Sequence, residues 1–164
     1  MTPETSSYYS VEGPFDDVAE DLAPALDWWQ RVYAVHGRPT DACIGFNQLA
    51  GWHARMTLSK ISQDQSDMCA VIVGEDVAHA FDGKLAKGVS FSSVIDFNTD
   101  AANTYFERLG HEGMISTTVG KRELEDGSAV QINCVNFPLR NSVGEGYSHV
   151  VTLYSIRPVD DLNR

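Results

Sequence analysis

An α+β fold is what this sequence predicts, on three observations. A clearly amphipathic helix comes early, two short strand candidates with small helices follow, and three long extended segments fill the last third.

Residues 22–36 carry the helix. Leu22, Ala25, Leu26, Trp29, Val32 and Tyr33 recur at three- and four-residue spacing, with Asp27, Gln30 and Arg31 on the other side. Asp21 is the expected N-cap, Pro24 falls in the first turn, and Gly37 and Pro39 end the helix. Trp28 falls at the edge of the apolar stripe, where partial exposure is expected. The stretch from Cys43 to Ala54 reads as helix and turn. Met56–Ile61 and Met68–Val73 are strand candidates, and Cys-Ala-Val-Ile-Val suits a central strand. Glu75–Asp82 is a short helix with Val77, Ala78 and Phe81 inward, and Val89–Ile95 is a connecting element. Thr99 is the expected cap of a helix over 100–109, stopped by Gly110. Met114–Leu124, Ala129–Leu139 and Tyr147–Ile156 are then strands of an antiparallel meander, the first two joined through Asp126-Gly127.

The chain has 164 residues, enough for one domain without metal or disulfide support. Residues 1–21 are expected to be a flexible acidic leader, 22–157 the domain, and 158–164 a C-terminal tail. No stretch approaches the ~18 apolar residues of a membrane helix, and the N-terminus lacks the basic and apolar regions of a secretory signal. The net charge of −11 repels phosphate backbones and anionic lipid, so neither nucleic acid nor membrane is an expected partner. Asp16, Asp17, Glu20 and Asp21, with Asp160 and Asp161 at the other end, read as solvated surface, or else as a patch for a basic partner. Cys43, Cys69 and Cys134 are too scattered for a disulfide framework or a structural zinc site, which points to a reducing, cytoplasmic setting and to no metal.

Two strands, small helices and three long antiparallel strands form the order of a PAS domain. The chain resembles bacterial PAS-like domains preceded by an amphipathic helix. The resemblance rests on Trp28 or Trp29 with Arg31, Gly37-Arg38-Pro39, Val73-Gly74, Phe81-Asp82-Gly83, Gly88 and Phe137-Pro138-Leu139, and it covers about residues 24–157. It implies a five-stranded antiparallel sheet with short helices on one face, an N-terminal flanking helix, and space between sheet and helices for a small ligand. It also implies docking of a signalling partner or a second copy, a homodimer, through the N-terminal helix or the outer sheet face.

No flavin signature is present, since Asn133-Cys134 lies in a strand candidate. Haem is disfavoured, with His79 and His111 as its helical or helix-terminal ligand candidates, and the cofactor is unknown. Phosphate loops, HExxH and GxSxG are absent from the sequence, so a non-catalytic sensory or regulatory module is expected. An isomerase-like α+β cone enzyme is the alternative, for which Asp96 with His149 or Tyr154 could be drafted. Phe81, Tyr105, Phe106, Thr117, Gln131 and Asn133 are the candidate ligand-binding residues, because apolar pockets carry a few placed polar groups. Strand alternation puts Val130, Ile132 and Cys134 on one face and Gln131, Asn133, Val135 and Phe137 on the other, without saying which is inward. Trp28, Trp29 and Tyr33 are the candidate partner contacts.

Overall fold

The computed structural model describes residues 1–159. Strands β2 (Met56–Ile61), β3 (Met68–Val73), β4 (Ile115–Glu123), β5 (Ala129–Arg140) and β6 (Tyr147–Pro158) match the expected segments within a residue or two. All their pairings are antiparallel. At the β4–β5 turn Gly127 takes a positive φ of 83°, which its missing Cβ permits. The expected helices are α1 (Ala23–His36), α2 (Glu75–Ala80) and α3 (Thr99–Tyr105). A single π turn, Phe106–His111, extends α3. The Cys43–Ala54 stretch holds short 3-10 turns, Phe46–Leu49 and the start of His53–Arg55.

The sheet has six strands, in the order β1-β4-β5-β6-β2-β3. The additional strand, β1 (Thr2–Tyr9), comes from the expected leader and pairs antiparallel with β4. Its sequence, Thr-Pro-Glu-Thr-Ser-Ser-Tyr-Tyr, shows no apolar alternation because an edge strand need not bury a face. Only the remainder of the leader, up to the 3-10 turn Glu20–Leu22, stays irregular. The expected tail begins on Pro158, the last residue of β6, and its residues 160–164 lie outside the described residues.

Both faces of the sheet are covered. On one, α1 and the turn before it pack Leu22, Ala25, Leu26, Trp28, Trp29 and Val32 against Met56, Ile115, Val135, Phe137, Leu139, Val151 and Leu153. On the other, α2, the 3-10 turn Phe91–Ser93 and α3 pack Val77, Phe81, Leu85, Phe91, Ile95, Tyr105 and Leu109 over Ile132, Cys134, Val150 and Tyr154. The short helices do lie on one face, and α1 makes a third layer.

That third layer corrects the reading of the tryptophans. Trp28 is 3% exposed and Trp29 1%, so both are core rather than surface. Trp28 donates its Nε1 proton to the Gln48 carbonyl, and Trp29 donates to the Val11 carbonyl at 3.1 Å. Helical spacing alone put Trp28 at the stripe's edge. The 3-10 turn that follows covers that edge. Tyr33 is half-buried and donates to Glu12 Oε1 at 3.1 Å. Asp21 does not cap α1, whose N-cap is Leu22 without a side-chain bond. α3 is capped by Asn98, not Thr99: Asn98 Oδ1 accepts from Ala101 N at 2.8 Å.

Candidate functional site

Because successive strand side chains point to opposite faces, register decides which polar groups meet the helices. Ser116 pairs with Asn136, Thr118 with Cys134, Cys134 with Tyr154, Asn136 with Thr152, and Thr152 with Thr57. These residues share the α2–α3 face of the sheet with Ile132 and Val150. The centre of that face is therefore polar, while the α1 face beneath it is mostly aliphatic and aromatic.

Burial of so many polar groups demands partners. Thr152 Oγ1 donates to Asn136 Oδ1 at 2.8 Å, and Asn136 Nδ2 donates to the Ser116 carbonyl at 3.4 Å. The hydroxyls of Thr57 and Tyr154 lie 3.3 Å apart. Tyr105 Oη points at Met68 Sδ, 3.9 Å away. Among the described residues the buried hydroxyls of Ser59 and Ser116 have no partner.

Above this polar patch is a slot of about 20 Å³, lined by Met68, Phe81, Thr118, Cys134, Asn136 and Tyr154 and roofed by Phe91, Phe97 and Tyr105. It is roughly one water in size. Outside lies a recess of about 130 Å³ lined by Asp67, Met68, Phe91, Ser92, Ile95, Asp96, Phe97, Tyr105 and Phe106. Slot and recess share Met68, Phe91, Ile95, Phe97 and Tyr105, so those side chains form the partition between them. The Tyr105 ring stands edge-on to Phe106 with centroids 5.2 Å apart, and it lies 6.1 Å from Phe97. Asp67 on the rim is engaged: its Oδ1 accepts from Met68 N at 2.8 Å and from Ser92 N at 3.2 Å.

Burial keeps the titratable groups here neutral. Desolvation pushes the Cys134 thiol up to about 12, and it raises the Tyr105 and Tyr154 hydroxyls well above the usual phenol range. The slot thus offers hydrogen bonds and apolar surface, without a ready thiolate or phenolate.

Of the sequence-derived ligand residues, Phe81 and Tyr105 line the slot and Phe106 the recess. Thr117, Gln131 and Asn133 are on the opposite face, where Thr117 pairs with Val135. Gln131 Nε2 donates to Asn133 Oδ1 at 2.9 Å, and Asn133 Nδ2 to Asp21 Oδ2 at 2.9 Å, with Arg157 3.7 Å from the same carboxylate. Those amides tie the start of α1 to the sheet. The polar residues that do reach the slot, Thr118, Cys134 and Asn136, are neighbours of the expected ones by one to three positions. Asn136 carried a signal in the sequence: it interrupts the most apolar run of β5, between Val135 and Phe137, where an amide is costly to bury.

The drafted acid–base couple is not assembled. Tyr154 is in the slot and Asp96 on the recess rim, while His149 faces the α1 side, 3.9 Å from Asp41. His79 and His111 are exposed and line neither slot nor recess. No group of three or more His, Cys, Asp or Glu residues able to hold a metal ion occurs among the described residues, nor any helix long and apolar enough to cross a membrane.

No family model matches the chain, and no curated protein matches it. Among solved structures it is similar to one described as "Structure of an RNA-binding Light-Oxygen-Voltage Receptor", with 14% identity and a TM-score of 0.43. That match covers 93% of this chain and 39% of the receptor chain.

Proposed function

We propose that the chain is a non-catalytic sensory module of PAS type, in which a small neutral ligand enters the recess beside Tyr105 and sets the packing that a protein partner or a second copy reads. The observation that supports this most directly is that recess and slot are divided by one shared wall containing Tyr105 and Phe97, with Asn136, Thr118 and Tyr154 on its inner side. The chain order of strands and helices, two strands before the small helices and three after, supports the PAS-type reading.

The dimensions select the ligand. A dry cavity of about 150 Å³ is enough for benzene, so a recess of 130 Å³ suits a ring of similar size. A polar atom on that ring reaches the slot once the Tyr105 and Phe97 wall repacks. An anionic ligand would meet the Asp67 and Asp96 carboxylates and no lining cation, which disfavours it. Binding must favour one packing of Tyr105 and Phe97 over another, because a ligand shifts an equilibrium only by its differential affinity.

Phenol is a suitable probe. Titrated into the full chain and followed by amide and side-chain NMR shifts, it should perturb Met68, Phe91, Phe97, Tyr105 and Asn136 in a saturable way. An absence of saturable shifts at these residues up to millimolar phenol would reject the reading.

A further inference from the structure

The two edges of the sheet are treated differently. The outer edge of β3 is closed by the 88–90 segment: Ala70 N donates to the Val89 carbonyl at 3.0 Å, and Gly88 N to the Ala70 carbonyl at 2.8 Å. A bridge between Cys69 and Ser90 completes the cover. Segment 94–96 holds Met1, just before β1, in a similar way: Met1 N donates to the Val94 carbonyl at 3.4 Å, and Asp96 N donates to the Met1 carbonyl at 3.0 Å. Beyond Met1, β1 has no such cover among the described residues. From Pro3 to Tyr9 the other edge is open among the described residues, and Glu4, Thr5, Ser6 and Ser7 are exposed.

A groove of about 370 Å³ runs along this open edge. Pro3, Glu4, Thr5 and Ser6 make one wall, and Asp96, Phe97, Asn98 and Ala101 the other. An unpaired edge beside a groove is the geometry of strand addition: backbone bonds supply affinity, and alternate side chains enter the groove.

Charge selects the occupant. Neither Glu4 nor Asp96 has a cationic side chain within 4.0 Å among the described residues. A second copy would bring another −11 and a second Glu4 to the same seam. A basic strand meets complementary charge, with Phe97 and Ala101 to receive its apolar side chains.

We propose that the open edge of β1 accepts, as a seventh strand, an extended segment of a partner protein in which lysine or arginine alternates with small apolar residues. This names the partner surface of the function above and rests on that reading only for its regulatory meaning. Phe97 supplies the link, because it lines the β1 groove, the recess and the slot together.

The test is calorimetric titration of the full chain with a nine-residue peptide alternating lysine and valine, beside a glutamate–valine control, with hydrogen exchange read over residues 4–9. The lysine peptide should bind with an affinity that falls as salt rises, and should protect β1 amides. The double variant Glu4→Gln/Asp96→Asn should weaken it roughly tenfold or more at an unchanged melting temperature. Ser6→Pro and Ser7→Pro give a second control, since adjacent strand N–H groups point to opposite edges. One of the pair disrupts the β4 ladder; the other should keep the fold and lose the peptide. Equal binding of the glutamate peptide, protection elsewhere, no binding, or self-association in place of peptide binding would each overturn the proposal. Phenol reports on the recess and the peptide on β1, so the failure of one assignment is distinguishable from the failure of the other.

Discussion

The Trp29 indole lies flat on the Phe137 ring, with centroids 4.8 Å apart and planes 12° from parallel. Trp28 tilts against the same ring at 5.5 Å. This three-ring cluster joins α1 to the middle of β5, and offset or tilted packing of this kind adds to the gain from area alone. Trp29→Ala should cost about 3–5 kcal/mol, and Trp28→Ala a similar amount. Thermal unfolding of a domain this size then drops by roughly 10–15 °C for each variant. A melting temperature unchanged by Trp28→Ala would restore the surface role that helical spacing suggested.

Alkaline pH should destabilise the fold through Cys134. Its folded thiol sits at about 12 because burial disfavours the thiolate, whereas an unfolded thiol ionises near ~8.5. A folded value raised above the unfolded one means stability that is complete below about pH 8.5 and lost as pH climbs toward about 12. By pH 10 the loss amounts to roughly 1–2 kcal/mol, and Tyr105 and Tyr154 add to it at higher pH. Urea unfolding at pH 7 and pH 10 measures this, with Cys134→Ala expected to remove the first part of the slope.

Thiol labelling should follow the same logic. Cys43 is half-buried, and the Thr40 hydroxyl 3.2 Å from its Sγ holds its pKa below the usual thiol value. At pH 8 iodoacetamide should modify Cys43 in the native protein and reach Cys134 only after unfolding, as peptide mass spectrometry would show.

Gly74→Ala should destabilise without any change in backbone preference. Gly74 has an ordinary φ of −70°, but a Cβ there would sit 2.4 Å from the carbonyl oxygens of both His53 and Ala54. Both are backbone atoms and cannot swing aside, so α2 must move off the 53–55 turn. An overpacking cost of about 1–3 kcal/mol is expected in chemical denaturation.

Phe97→Ala should uncouple the recess from β1. In the wild type, saturating phenol should change the affinity of the lysine–valine peptide severalfold, and by linkage the peptide should change phenol affinity by the same factor. In the variant that factor should fall to about one. Persistence of the coupling would place the connection elsewhere.

The regular strands were legible in the sequence because burial on both faces imposes long runs of β-branched and aromatic residues, as in β5 and β6. β1 was not, because an edge strand of serines and threonines leaves no periodic signature. The site was half legible. Phe81, Tyr105 and Phe106 fall on helical elements whose apolar face must turn inward, so pattern alone located them. Thr117, Gln131 and Asn133 are candidates only if their face turns inward, and strand parity equally allows Thr118, Cys134 and Asn136. What settles parity is that α1 needs Val135, Phe137 and Leu139 beneath it, and that is a tertiary fact.

The placement of β6 has a consequence for synthesis. It lies between β5 and β2 and bonds to both, so it alone joins the β1-β4-β5 half of the sheet to the β2-β3 half. On the ribosome the two halves stay strangers until residues 147–158 leave the exit tunnel. Until then β2 and β5 present raw, sticky margins, the period in which a nascent chain of this design most needs a chaperone's shelter.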